Sequence, residues 1–83
     1  MDATLRRILA KHGRLAQAAE ALPVTADLFA AGLDSLAIVN VMLAIEDEFD
    51  IEIPDVYLNR TTFSSILALS KVVEALQSTR VAG

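Results

Sequence analysis

The stretch over residues 35–49 limits what this chain can fold into more than any other. Its apolar residues recur at helical spacing. At about 100° per residue, Ile38, Val41, Met42, Ile45 and Phe49 share one face, which must be covered by the rest of the chain. The opposite stripe reads Leu36, Asn40, Leu43 and Asp47, flanked by Ala37 and Ala44. Leu36 and Leu43 stand where an ordinary surface helix carries charge. Either a partner covers that second apolar stripe, or the segment 16–34 folds over it.

The residues just upstream bring a loop to the start of this helix. Asp27 is placed to cap a single turn over 28–31, with Gly32 ending it in a left-handed conformation. Asp34 and Ser35 follow, and either can cap the helix by accepting a hydrogen bond from its first free N–H groups. Ser35 has a second property. The free N–H groups and the positive end of the helix dipole favour an anion there, so a phosphate esterified to its Oγ would be well placed. Taken alone, the Asp-Ser pair reads as a cap.

The flanking segments also read as helices. The first should cover about 3–16, with Asp2 as its cap and Leu5, Ile8, Leu9, His12, Leu15 and Ala16 on its apolar face. Arg6, Arg7 and Lys11 largely fall on the other face, and Gly13 is a point where the helix frays or ends. Residues 16–34 form a long connection, broken by Pro23 and anchored by Leu22, Val24, Leu28 and Phe29. Beyond 49, Ile51-Glu52-Ile53-Pro54 reads as an extended connector. A short turn or third helix follows over about 56–59, capped by Asp55. The last covers about 62–77, capped by Thr61 or Thr62, with Phe63, Ile66, Leu67, Ser70, Val73 and Leu76 inward and Leu69 and Val72 widening that face. The expected architecture is all-α: one domain over 1–83, a small four-helix bundle with a long loop between helices 1 and 2 and a short third helix.

Composition narrows the chemistry. The 83 residues are 54% hydrophobic but only 5% aromatic, so the core must be aliphatic. Without cysteine there is no disulfide, no thiolate nucleophile and no thiolate zinc site, a pattern typical of cytoplasmic proteins. The most apolar stretch, 36–45, is too short to span a bilayer, and the N-terminus does not read as a secretion signal. A net charge of −4 argues against nucleic acid as a partner. Residues 27–55 hold eight acids and no base, so a protein reading that region should be basic. Glu46, Asp47 and Glu48 oppose the dipole at the helix C-terminus, which points to a use for the negative surface. The acids from Asp50 to Asp55 lack the glycine and spacing of a calcium loop. His12 is the only histidine and reads as structural, and no Gly-x-Ser-x-Gly elbow or glycine-rich phosphate loop is present. No catalytic residue and no metal ligand is expected.

Read together, Asp27-Leu28-Phe29-Ala30-Ala31-Gly32-Leu33-Asp34-Ser35-Leu36, the helix ending Ile45-Glu46-Asp47-Glu48-Phe49, the segment Ile51-Glu52-Ile53-Pro54-Asp55 and the later Thr61-Thr62-Phe63-Ser64-Ser65-Ile66 resemble the acyl and peptidyl carrier protein family over nearly the whole chain. The resemblance implies a domain carrying 4′-phosphopantetheine on a serine, here Ser35, installed from coenzyme A by a phosphopantetheinyl transferase. The arm would hold an acyl or aminoacyl group as a thioester and present it to partner enzymes. Recognition would then fall to Asp34, Leu36, Ala37, Asn40, Leu43, Asp47 and Glu48. Bacterial fatty-acid carriers typically show Asp-Ser-Leu-Asp-x-Val-Glu here, whereas this chain has Ala37 and Asn40 at the two acidic positions that follow the serine. The departure favours a specialised carrier, and the chain resembles stand-alone carriers. That likeness implies a monomer loaded with an amino acid or other specialised acyl group by a dedicated ATP-dependent aminoacyl or acyl ligase, such as those resembling seryl-tRNA synthetases, and emptied by a downstream transferase. A carrier of fatty-acid or polyketide synthesis is the alternative, and an unmodified helical adaptor is the competing class.

Overall fold

The computed structural model describes residues 2–15 and 18–81, the side chains of 79–81 excepted. Three α-helices carry the fold: α1 (Asp2–His12), α2 (Ser35–Phe49) and α3 (Ile66–Val81). Two single 3-10 turns, Ala19–Ala21 and Asp55–Tyr57, lie in the connections. The domain is all-α, and its largely aliphatic core joins Leu5 and Leu9 of α1, Val41 and Ile45 of α2, and Ile66, Leu69 and Val73 of α3 around Leu28 and one aromatic ring, Phe63.

α1 stops earlier than its spacing suggests. The Gly13 N–H still donates to the Leu9 carbonyl at 2.8 Å, but Arg14 turns to a φ of 56° and the helix is over. Leu15 therefore packs on the core from the loop, half-buried, while Ala16 lies outside the described residues. Arg6 also does not simply face solvent. Its Nη1 donates to the carbonyls of Ala19 at 2.8 Å, Glu20 at 3.3 Å and Leu22 at 2.6 Å, tying the long loop to α1. Farther on, the loop is fastened to the start of α3 by two backbone bonds, Leu28 N–H to the Ser64 carbonyl and Leu67 N–H to the Val24 carbonyl. The loop is thus a packed layer that contributes Ala19, Leu22, Leu28, Ala31 and Leu33 to the core.

α2 buries a row slightly rotated from the expected one. Val41 and Ile45 are fully buried, but Ile38, Met42 and Phe49 are only half-buried. The third fully buried residue is Ala37, because 37, 41 and 45 form a single i, i+4, i+8 line. The helix ends at Asp50, whose left-handed backbone (φ 53°, ψ 51°) closes it with a bond to the Glu46 carbonyl. The Glu46 side chain then accepts the Ile53 N–H at 2.8 Å and holds the extended connector in place. That acid serves the fold, which accounts for part of the negative charge at this helix end.

The second half of the chain sharpens its expected elements. Of the turn or short helix expected over about 56–59, the structure forms the single turn Asp55–Tyr57, after which Asn59 takes over the hydrogen bonding. Its Nδ2 donates to the Val56 carbonyl and its Oδ1 accepts the Thr62 N–H, both at 2.9 Å, which fixes a loop where a second helical turn would otherwise form. The last helix begins at Ile66 rather than near 62, since Ser65 and neither threonine offers its oxygen to the helix, at 3.0 Å from the Ala68 nitrogen. Leu67, expected inward, is exposed, and Leu69, expected at the margin of the apolar face, takes the central place. The buried Ser70 hydroxyl is satisfied by the Leu67 carbonyl at 2.8 Å.

Candidate functional site

Three features build the start of α2. Asp27 folds the turn before it, its Oδ1 accepting the N–H groups of Phe29 at 2.9 Å and Ala30 at 3.4 Å. Gly32 follows with a φ of 121°, a conformation a side chain would strain. Leu33 then drops into the core while its N–H donates to the Leu28 carbonyl at 3.0 Å. The chain therefore reaches Asp34 in a fixed direction, on a platform of buried leucines.

Asp34 is the cap. Its backbone is extended (φ −127°, ψ 178°) and its Oδ1 accepts the Ala37 N–H at 2.9 Å. Ser35 is consequently the first helical residue, exposed, with its hydroxyl free of hydrogen bonds among the described residues. The arrangement leaves a primary hydroxyl presented beside the unpaired N–H groups of a helix start, where an esterified phosphate is electrostatically favoured. A cleft of about 350 Å³ opens alongside, walled by Phe29, Ile38, Met42 and Phe63, with Ser35, Asn59 and Arg60 among its polar groups. The Arg60 guanidinium lies over the Phe29 ring, 4.0 Å from its centre.

The outer stripe of α2 is uncovered. Leu36 is 72% exposed and Leu43 53%, so the loop does not fold over them. Val39, which the sequence reading left out, is 49% exposed and sits between them at positions i, i+3 and i+7, a spacing already visible in the sequence. Ala37, expected on the recognition surface, is fully buried and offers nothing to a partner. Asn40, Leu43, Asp47 and Glu48 come together on one wall of a second cleft, of about 670 Å³, whose other wall is Arg7, Ile8, Lys11 and His12 of α1. Arg7 and Glu48 pair across it at 2.7 Å. Asp34 and Leu36 stand apart from this cleft, at the first turn of α2. Arg7 and Lys11 of α1 were not legible as part of the surface, because only tertiary packing brings them opposite α2.

Among the described residues, no group of three or more His, Asp or Glu side chains could hold a metal ion, and no helix is long and apolar enough to cross a membrane. The family model of the phosphopantetheine attachment site matches residues 3–73. The chain belongs to the phosphopantetheine-binding carrier protein family. The matched residues include the start of α2, where Asp34 makes the cap and the Ser35 hydroxyl is exposed and free of hydrogen bonds among the described residues.

Relatives match most or all of the chain. An aminoacyl carrier protein of Agrobacterium fabrum is 50% identical over 76 residues, 92% of each chain. A carrier protein from Agrobacterium tumefaciens was solved in complex with AMP and an engineered glycine:[carrier protein] ligase from Bradyrhizobium japonicum. It superimposes with a TM-score of 0.86 at 51% identity, covering 89% of this chain and 99% of its own. A solution structure from Agrobacterium tumefaciens covers all of both chains, with a TM-score of 0.79 at 47% identity.

Proposed function

We propose that this carrier holds its phosphopantetheine on Ser35 and is charged with an amino acid by an ATP-dependent ligase. The observation that carries the reading is the division of labour at the start of α2, where Asp34 makes the cap and the Ser35 hydroxyl is left exposed and unbonded. In the attachment step, Ser35 Oγ forms a bond to the phosphorus of coenzyme A that carries the pantetheine. The pyrophosphate bond to the nucleotide breaks, and the hydroxyl proton passes to a base of the transferase. Once attached, the group supplies a terminal thiol on which the amino acid is held as a thioester. The chain's own part is to position the root of the arm, keep it accessible and offer a surface to the enzymes that use it. In that role the Asp55–Tyr57 turn takes the place of the short third member of a four-helix carrier bundle.

The exposed Leu36, Val39 and Leu43, with Asn40, Asp47 and Glu48 beside them, are the surface we assign to ligase and transferase docking. A few apolar side chains ringed by charge bind weakly and release quickly, as repeated hand-over demands. The aminoacyl cargo is supported by the 50% identical aminoacyl carrier and by the glycine:[carrier protein] ligase bound to the 51% identical one. Glycine is therefore the first amino acid to test. Incubation with coenzyme A, magnesium and a broad-specificity transferase should add one phosphopantetheine by intact mass, and none to Ser35→Ala. The holo protein should then gain one glycine from ATP and a glycine:[carrier protein] ligase, in a bond cleaved by hydroxylamine. Charging by fatty acyl ligases but not by the amino acid ligase would place the carrier in fatty-acid or polyketide synthesis. Failure of several transferases to modify the wild type would leave only an adaptor role.

A further inference from the structure

The cleft beside Ser35 contains one charged side chain, Arg60, and its surroundings single it out. No base occurs anywhere from Asp27 to Asp55, so the cation facing the start of α2 comes from the opposite wall of the cleft. Asn59, the neighbouring polar residue, is already committed through both ends of its amide, to Val56 and Thr62. Those two bonds fix the backbone on which Arg60 is mounted. Arg60 itself has no carboxylate partner among the described residues; its guanidinium rests on the Phe29 face, 4.0 Å from the ring centre. Stacked in this way, the planar group is held in place while its edge N–H donors remain free for an anion.

Building on the assignment of the arm to Ser35, we infer that Arg60 is a positioning residue which binds the arm's phosphodiester and holds the root of the arm in the Phe29–Met42 cleft. The phosphodiester carries a negative charge next to the Asp34 carboxylate, which repels it, and a guanidinium across the cleft offsets that repulsion. The wall beneath is apolar, formed by Phe29, Ile38, Met42 and Phe63, and suits the methyl-bearing first carbons of pantetheine. With the root held on the Phe29 side, exposed Leu36 and Leu43 stay free for the enzymes that read the helix.

The test compares apo and holo protein, each verified by intact mass, for wild type, Arg60→Gln and Arg60→Lys. In wild type, the Arg60 side-chain N–H and Phe29 ring signals should move when the arm is installed. They should return toward their apo positions as sodium chloride is raised to about 1 M, where screening is nearly complete. The phosphorus signal of the arm should show the same salt dependence. In Arg60→Gln that dependence should vanish, and the arm's preference for the cleft should fall about two- to fivefold, the scale of a partly exposed ion pair. Arg60→Lys, which keeps the charge but not the planar stack, should fall between the two. If the arm is attached but the Arg60 and Phe29 signals are the same in apo and holo protein, the positioning role is overturned and Ser35 attachment stands. If no arm is attached to wild type at all, the Ser35 assignment itself fails.

Discussion

The Asp34 carboxylate accepts the Ala37 N–H at 2.9 Å, and this one bond releases the adjacent Ser35 from capping duty. Two neighbouring residues, each suited to begin a helix, thereby divide structure and chemistry between them. Asp34→Ala should cost about 1 kcal/mol in urea unfolding, the usual loss for a removed N-cap. Asp34→Asn should cost almost nothing, since the amide oxygen caps as well. Ser35→Ala should leave stability within about 0.5 kcal/mol of wild type yet abolish the mass gain from coenzyme A. A large stability loss in Ser35→Ala would mean that the serine, and not Asp34, holds the helix start.

The stripe Leu36, Val39 and Leu43 lies outside the core, so replacing one of its members should separate recognition from folding. Leu43→Asp and Val39→Asp should keep the wild-type circular dichroism and lie within about 0.5 kcal/mol in stability. Each should weaken charging by the ligase about tenfold, mainly through KM, as expected for an apolar anchor at an interface. Val41→Asp, two positions from both Val39 and Leu43 but fully buried, should fail to fold. Unchanged charging kinetics in both surface variants would move the docking surface elsewhere.

Arg6 and Arg7 are adjacent in sequence but should differ sharply. One nitrogen of Arg6 serves three loop carbonyls, whereas Arg7 makes a single pair with Glu48 in which the side chains are 64% and 45% exposed. Arg6→Ala should cost about 1.5–3 kcal/mol, because hydrogen bonds from a charged donor to half-buried carbonyls are lost. Arg7→Ala should cost less than about 1 kcal/mol, and that difference should shrink with added salt. Urea unfolding at low and high salt measures both. Equal losses would show that the long loop is not held by Arg6.

These outcomes also mark what the sequence could and could not disclose. The 3.6-residue period of α2 placed Val41 and Ile45 inside and Leu36 and Leu43 outside, because large side chains report their environment strongly. Ala37 gave no such report; alanine is equally at home on either side, and its burial is decided by its line with Val41 and Ile45. The start of α3 was ambiguous for a different reason. Thr61, Thr62, Ser64 and Ser65 all have capping chemistry, and the choice of Ser65 depends on Asn59 having fixed the loop before it. Arg6 was least legible of all, since its three acceptors lie 13–16 residues along the chain and nothing local announces them.

The end of α1 provides a last test, with opposite signs for the two structures that residue 13 could adopt. If the helix continued to residue 16, as its apolar spacing suggests, Gly13 would lie inside it and Gly13→Ala would stabilise the protein by about 1 kcal/mol. The structure instead brings Gly13 against the preceding turn. A Cβ there would stand 2.6 Å from the Leu9 carbonyl oxygen, a backbone atom with no freedom to move aside. The same Leu9 carbonyl accepts the Gly13 N–H at 2.8 Å, so relieving the clash means stretching the bond that closes the helix. Gly13→Ala should therefore destabilise the domain by about 1–3 kcal/mol, the range for overpacking at a site that cannot relax. Equilibrium urea unfolding reads the sign directly, and a gain in stability would restore the longer helix.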